Sequence, residues 1–472
     1  MHRPDAIVVG GGIAGIAAAL HLAQRGAAVT LLETRPRLGG RATSFKDNRT
    51  GEILDNCQHV ALGCCTNYLA LCDMLGVGSS IGFLRDIHWV EAGGRVSTTG
   101  PAASLPAPAA MGPSLLGAAF LSLHEKAALG SAMTRALRTD RSAWADRTFD
   151  AWLDRAGQPE RVRSRFWEPL IISACNAPCA RVSAAVALHV VQEGFLAHRD
   201  APAIGVATAP LVELYDAAEG AIAAAGGEVR LRASVRRIGP TRVETASGDR
   251  LEAPRVVCAL PAERAARFVD EDVRAADDRF RFAQHLEHAP ILGVHLAFDE
   301  PVLELPAAVL VDRPTQWVFR KDADGRRVHA VISAAWDWLG LREEESAERV
   351  LTDLRVCFPA AMERASLVRA RAVNEKLATW TPTPAFERSR PAAVRSDDPG
   401  GSLVLAGDYT RTGWPATMES AARSGAIAAA RVLGIDPDEL LAPALRPATI
   451  VRALGAPGLR DQHTRRFENS RA

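Results

Sequence analysis

The sequence predicts an α/β protein of two packed domains, and three observations carry that reading. A β-α-β unit is complete within the first 33 residues, and buried strand-like runs recur as far as residues 403–408. The 472-residue length exceeds what one simple hydrophobic core organises. Residues 6–10 read as a short buried strand, 13–24 as an apolar helix and 28–32 as a second strand. Residues 37–60 are loop-rich, and 66–75 read as a helix. Residues 101–123 are apolar but broken by Pro106, Pro108 and Pro113. Residues 141–200 look mainly helical and carry Trp144, Trp152 and Trp167. A helix over 210–225 stops at Gly226-Gly227, and residues 228–232 then alternate like a strand. Residues 255–260 form another buried strand, ended by Pro261. Strand-like runs fill 291–338, with Trp317, Trp336 and Trp338. A helix over about 417–433 follows the late strand. Residues 436–472 are polar and basic without a period and are expected to fray.

Composition narrows the function classes. Hydrophobic residues make up 48 % and charged residues 24 %, with a net charge of +1, which speaks against a nucleic-acid or other polyanion binder. The eight cysteines (Cys57, Cys64, Cys65, Cys72, Cys175, Cys179, Cys258, Cys357) form no CxxC pair, so free thiols in a reducing cytoplasm and no metal site are expected. No charged-then-apolar signal opens the chain, and no uncharged apolar run reaches the roughly 20 residues of a membrane span.

Gly10-x-Gly12-x-x-Gly15 follows the first strand and opens the helix, where a phosphate cradle must sit. Gly10 permits the tight turn, Gly12 the approach of a diphosphate, and Gly15 close helix–strand packing. The helix N-terminus then meets the phosphates. Glu33 ends the second strand, 18 residues past Gly15, and its carboxylate suits both ribose hydroxyls. This Rossmann-type unit by itself does not separate FAD from NAD. Two further segments point to FAD. Leu38-Gly39-Gly40-Arg41, with Arg35 before it, lets the chain pass the cofactor while Arg41 reaches the diphosphate. Gly407-Asp408 puts a carboxylate at a strand end for a ribityl hydroxyl. The helix starting at Thr417-Met418 can face the N1/O2 edge of a reduced flavin.

These three elements resemble the flavin monoamine oxidase and carotenoid (phytoene) desaturase superfamily, over roughly residues 5–435. The resemblance implies an amine-oxidase-like architecture, with an FAD-binding domain from residues 1–80, 205–272 and 395–436. A substrate-binding domain from 81–204 and 273–394 is interleaved, and 437–472 form a C-terminal tail. Family residues carry over to Gly10, Gly12, Gly15, Glu33, Arg41, Asp408 and Met418, and Val235 looks like the residue whose backbone pairs with adenine. Monoamine oxidases flank the flavin with an aromatic cage and set a lysine near it. Here the cage position is Thr417 and the strand around 293–298 has no lysine, which counts against an amine substrate.

Other stretches are similar to a narrower group, the squalene-associated FAD-dependent desaturases or hydroxysqualene dehydroxylases. They are residues 55–64, Trp167 to Leu170 with Asn176, residues 316–319, residues 375–379 and residues 415–419. Relatives usually have glycine where Cys57 stands, which puts close backbone approach to the flavin in doubt there. The resemblance implies reductive dehydroxylation of hydroxysqualene to squalene, in which C–OH becomes C–H. That chemistry needs a proton for the departing hydroxyl, hydride from reduced flavin and a cavity that excludes water. Gln58 and His59, with Asp55 behind them, are the candidates to position or protonate the hydroxyl; Trp317, Phe319 and Asn176 are candidate pocket residues. Residues 105–123 are the candidate for peripheral contact with the inner face of the membrane. The absence of a second dinucleotide fingerprint calls for an external reductant. Two other readings stay open: a carotenoid-type polyene desaturase, and a flavin-containing prenyl-lipid carrier without turnover.

Overall fold

Strand β1 (Ala6–Val9), helix α1 (Ile13–Gln24) and strand β2 (Val29–Leu32) form the predicted β-α-β unit in the computed structural model, which describes residues 3–398 and 401–455 together with Leu459. Both strands are buried and apolar apart from Thr30, the pattern of a parallel sheet covered on both faces. Strands β3 (Glu228–Arg230), β4 (Arg255–Cys258) and β5 (Leu403–Leu405) complete a five-stranded parallel sheet in the order β3-β2-β1-β4-β5. Helix α2 (Met418–Leu433) crosses α1 at backbone contact, because a Cβ at Gly425 would lie 2.3 Å from the Ala14 carbonyl oxygen.

A second sheet has seven strands, in the order Leu367–Trp380, His288–Phe298, Arg327–Ser333, Trp317–Arg320, Ala307–Leu310, Ile87–Val90 and Val96–Thr99. Its neighbours are antiparallel except Ala307–Leu310 with Ile87–Val90. Its chain segments fall between β2 and β3 and between β4 and β5. Helices Leu123–Arg138, Phe149–Arg155, Glu168–Cys175 and Ala184–Val191 build a separate helical core around Phe149, Trp152 and Trp167, with ring centroids 5.4 to 6.3 Å apart. The first of them begins in a capping box, Ser122 with Glu125, which satisfies end N–H groups reciprocally.

Several sequence expectations change. The strand read over 228–232 ends at Arg230 because Arg232 adopts a left-handed φ of 56°, and Val235 starts a different, antiparallel sheet. The loop-rich 37–60 segment contains a hairpin of Ser44–Lys46 with Ile53–Asp55. Trp336–Trp338 is a 3₁₀ turn rather than a strand. Residues 437–455 do not fray: Val451 is buried in the helical core, and Asn67 Oδ1 accepts a hydrogen bond from Ala442 N at 2.9 Å. Residues 456–458 and 460–472 lie outside the described residues. Among the described residues no helix is long and apolar enough to cross a membrane.

Trp152 is fully buried at the centre of the helical core. Trp152→Ala is expected to destabilise the fold by about 3–5 kcal/mol, through lost burial and the cavity left behind. Urea unfolding followed by far-ultraviolet circular dichroism checks this.

Candidate cofactor and substrate site

The turn after β1 is built for a backbone to pass where no side chain fits. Gly10 has φ +109°, and a Cβ at Gly15 would lie 1.8 Å from the Gly10 carbonyl oxygen. Glu33, at the end of β2, accepts hydrogen bonds from Gly11 N at 2.7 Å and from Arg35 N at 2.8 Å. A carboxylate has about four lone-pair sites, so two remain for hydroxyl donors. The Gly39–Gly40 segment folds back on the turn. Gly39 N donates to Gly11 O at 2.9 Å, and a Cβ at Gly40 would lie 2.9 Å from the Gly12 Cα. Arg35 Nη1 donates to Gly40 O at 2.9 Å. Ala233 N donates to Glu33 O at 2.8 Å, which sets Val235 beside the end of β2 although it belongs to another sheet.

Arg41 and Asp408 bring the second and third segments together. Their side chains pair at 2.6 Å, and Arg41 also donates to Ala378 O at 3.1 Å. Asp408 follows Gly407, where a Cβ would strike the Tyr409 ring at 2.5 Å. Thr417 caps α2 by accepting from Ser420 N at 3.2 Å, so the unpaired N–H groups of this 16-residue helix open at Met418. These groups fit FAD along its length. The Gly10–Gly15 turn and Arg41 suit the diphosphate, Glu33 the adenosine ribose, Asp408 the ribityl chain, and the α2 N-terminus the electron-rich edge of the ring.

A cavity of about 210 Å³ starts at this helix end. Thr417 and Met418 stand at that end, and Cys57 and Gln58 also line the cavity. The predicted Trp317 and Phe319 form one wall, stacked at 5.5 Å with Ile291 and Val331 beside them. The opposite wall comes from two helices, through Leu170 and Ala174 on one and Val190 and Phe195 on the other. Each helix carries a π-helical turn, Arg163–Trp167 before the first and Gln192–Leu196 after the second; such turns recur at functional sites. The carboxylates at the wall are engaged. Glu193 pairs with Arg141 at 3.1 Å, and Glu419 accepts from Tyr68 N at 2.8 Å and Asn67 Nδ2 at 2.9 Å. Burial pushes the Glu419 carboxyl up.

Of the three residues proposed for acid chemistry, Gln58 alone lines the cavity. Its amide oxygen accepts from Lys321 Nζ at 3.1 Å. His59 is not among the lining residues; its Nδ1 lies 3.2 Å from Cys57 O, and burial lowers its pKa, so it is neutral near pH 7. Asp55 accepts from Ser44 Oγ at 2.8 Å and Leu211 N at 3.0 Å, with Lys321 at 3.5 Å. Asn176 does not line the cavity either. Buried at a left-handed helix end, it donates to Ala289 O and Thr379 Oγ1 and accepts from Ala334 N, tying two strands to a helix. Cys57 packs on Phe319 and Val331, and burial pushes its thiol up to about 12; the wall accommodates its side chain. On the strand without lysine, Gly293 leaves room for His329, whose Nε2 would lie 2.7 Å from a Cβ there.

The family model for flavin-containing amine oxidoreductases matches residues 13–433. The chain belongs to this family. As a member it is an FAD-dependent oxidoreductase with the predicted amine-oxidase-like fold. This flavin-containing amine oxidoreductase is 26 % identical over 435 residues to a hydroxysqualene dehydroxylase of Zymomonas mobilis, covering 89 % of this chain and 97 % of that protein. It is 22 % identical over 460 residues to a 15-cis-phytoene desaturase of Synechococcus elongatus, covering 90 % and 95 %. A triple mutant of putrescine oxidase shares the fold, with a TM-score of 0.69 at 19 % identity over 92 % of this chain and 99 % of that one.

Sequence reasoning missed much of the oxidoreductase's cavity wall. Trp414, Leu170 and Phe195 converge from segments far apart in the chain; the i, i+4 spacing of Leu170 and Ala174, or of Val190 and Gly194, marks one helix face without saying what it faces. Lys321 carries no motif. For the cofactor end the outcome is measurable: Glu33→Ala leaves Gly11 N and Arg35 N unpaired and removes the ribose acceptor. At about 1.5–3 kcal/mol per charge-assisted bond, FAD affinity is expected to fall ten- to a hundredfold or more. Titration of apoprotein with FAD, followed by quenching of flavin fluorescence, checks it.

Proposed function

We propose that this oxidoreductase reduces hydroxysqualene to squalene, within a cofactor domain of residues 1–80, 205–272 and 395–436 and a substrate domain of 81–204 and 273–394. The observation that carries the reading is the cavity: apolar along both walls, with Gln58 lining it and the α2 start at its cofactor end. The names of the dehydroxylase and desaturase relatives support an isoprenoid substrate. A cavity of about 210 Å³ is below the roughly 300–1,000 Å³ of ligand pockets in general, so a C30 chain seats its reacting end there and extends beyond it. Binding is then driven mainly by burial of hydrocarbon.

Bound FAD, once reduced by an external donor, supplies the hydride that replaces the departing hydroxyl. The chain's own residues do the rest. Gln58, steadied by Lys321, orients the hydroxyl; His59, neutral and adjoining Gln58, is the proposed relay for a solvent proton that lets it leave as water, while Asp55, turned to Ser44 and Leu211, takes no part. The Trp317–Phe319 wall keeps water from the carbon left electron-poor. Anaerobic mixing of dithionite-reduced enzyme with hydroxysqualene is expected to reoxidise the flavin and give squalene in equal amounts. Gln58→Ala is expected to slow this by about 10²-fold or more, the range for a lost positioned group in catalysis. Flavin that stays reduced overturns the proposal, and conjugated polyene formed from phytoene by the oxidised enzyme replaces it with a desaturase.

Peripheral membrane contact through 105–123 belongs to the same proposal, with altered contacts. Phe120 and Leu121 are core residues, 0 % and 3 % exposed, whereas Leu116 and Leu123 are 65 % and 79 % exposed. Leu116→Ser with Leu123→Ser is therefore expected to reduce flotation of the protein with phospholipid vesicles at least severalfold. Unchanged flotation removes the segment from membrane contact.

A further inference from the structure

A second cleft is larger than the substrate cavity. It measures about 660 Å³ and lies between the 3₁₀ segment Asp278–His285, the helix Pro384–Ser389, the loop after it and the distal half of α2. Arginines converge on it from all four, while Asp278 is the one carboxylate among its lining residues. The overall charge of +1 conceals this local segregation.

Five of the arginines are already neutralised. Arg279 pairs with Asp277 at 2.7 Å and Arg281 with Asp278 at 2.7 Å. Arg388 pairs with Asp146 at 2.9 Å, Arg390 with Glu387 at 3.4 Å and Arg395 with Asp397 at 2.5 Å. Two are not. The Arg411 side chain is exposed and donates only to the Arg390 carbonyl oxygen, and Arg431 has no ion-pair or hydrogen-bond partner among the described residues. Ser389, Ser396, Gln284 and His285 add neutral hydrogen-bonding groups to the same walls.

Two uncompensated guanidinium groups over a concave, hydrogen-bonding surface lack a dianion. Guanidinium forks match the oxygen spacing of phosphate and bind it through paired, charge-assisted bonds. We propose that this cleft binds a phosphate-bearing ligand, with Arg411 and Arg431 as its primary contacts. The site is distinct from the flavin site, since Arg431 lies 13 residues along α2 from Met418, roughly 20 Å at 1.5 Å per residue. A link between them exists in Arg390, a cleft residue whose Nη2 donates to Asp408 O at 2.7 Å and Trp414 O at 2.6 Å, one carbonyl at the cofactor and one at the cavity.

The test uses the flavin-loaded protein and is independent of the substrate proposed above. Titration calorimetry with sodium pyrophosphate at low ionic strength is expected to show saturable binding, weakened severalfold by added salt. The double variant Arg411→Ser, Arg431→Ser is expected to lose affinity at least tenfold while keeping its flavin content and absorption spectrum; Arg411→Ser alone, at an exposed position, gives a smaller loss if the pair misfolds. Flotation with phosphatidylglycerol and phosphatidylcholine vesicles separates the sources. Selective binding to the anionic vesicles that the double variant loses, without pyrophosphate binding, assigns the site to a lipid headgroup. Absence of both, or equal binding by parent and double variant, overturns the proposal.

Discussion

Helix α1 sits so close to strand β1 that only glycine fits at position 15, and α2 sits so close to α1 that only glycine fits at position 425. These two backbone contacts fix the depth and direction of both helices. α1 then presents its N-terminus to the diphosphate, and α2 presents its own to the cavity. An added Cβ at either place would push a helix outward and move a set of N–H groups away from the charge they are meant to meet. The site is therefore preorganised by packing. Its dipoles are held in place before any ligand arrives, which removes reorganisation from the cost of binding.

The remaining cofactor contacts are closed circuits around that frame. Glu33 is held by two backbone N–H groups, Arg41 by Asp408, and Asp408 by its position after a glycine packed under Tyr409. Each polar group is paired, yet the carboxylates keep lone pairs to offer. This combination suits a tightly retained cofactor, because unpaired buried groups would destabilise the empty fold.

The cavity follows a different principle. Its walls come from the seven-stranded sheet on one side and two helices with π-turns on the other, and its charged rim residues are already paired with partners outside it. What is left lining it is mostly hydrocarbon, with the Gln58 amide, the His189 ring, small thiols and hydroxyls, and a helix end. Such a surface discriminates by shape and dryness, and it leaves no fixed carboxylate to attract an ammonium group.

The sequence alone determined the β-α-β unit, the fingerprint glycines and Glu33, and it marked Arg41 and Asp408 as cofactor residues. Each of these rests on a short-range rule of period, turn chemistry or fixed spacing, and those rules act before any long-range contact forms. Trp317 and Phe319 were legible through the resemblance of residues 316–319 to the dehydroxylases, and as alternate residues they share one strand face. The direction of a loop side chain obeys no such rule. Asp55, Gln58 and His59 are neighbours in the chain, yet only Gln58 lines the cavity, while Asp55 is held by Ser44 and Leu211 and His59 turns to the Cys57 carbonyl. Asn176 stands near the cavity helices in sequence but is consumed by three hydrogen bonds between elements. The arginine cleft needed tertiary structure altogether. Its charge is scattered among carboxylates along the chain, and only folding decides which guanidinium groups keep a partner and which two are left facing an open space.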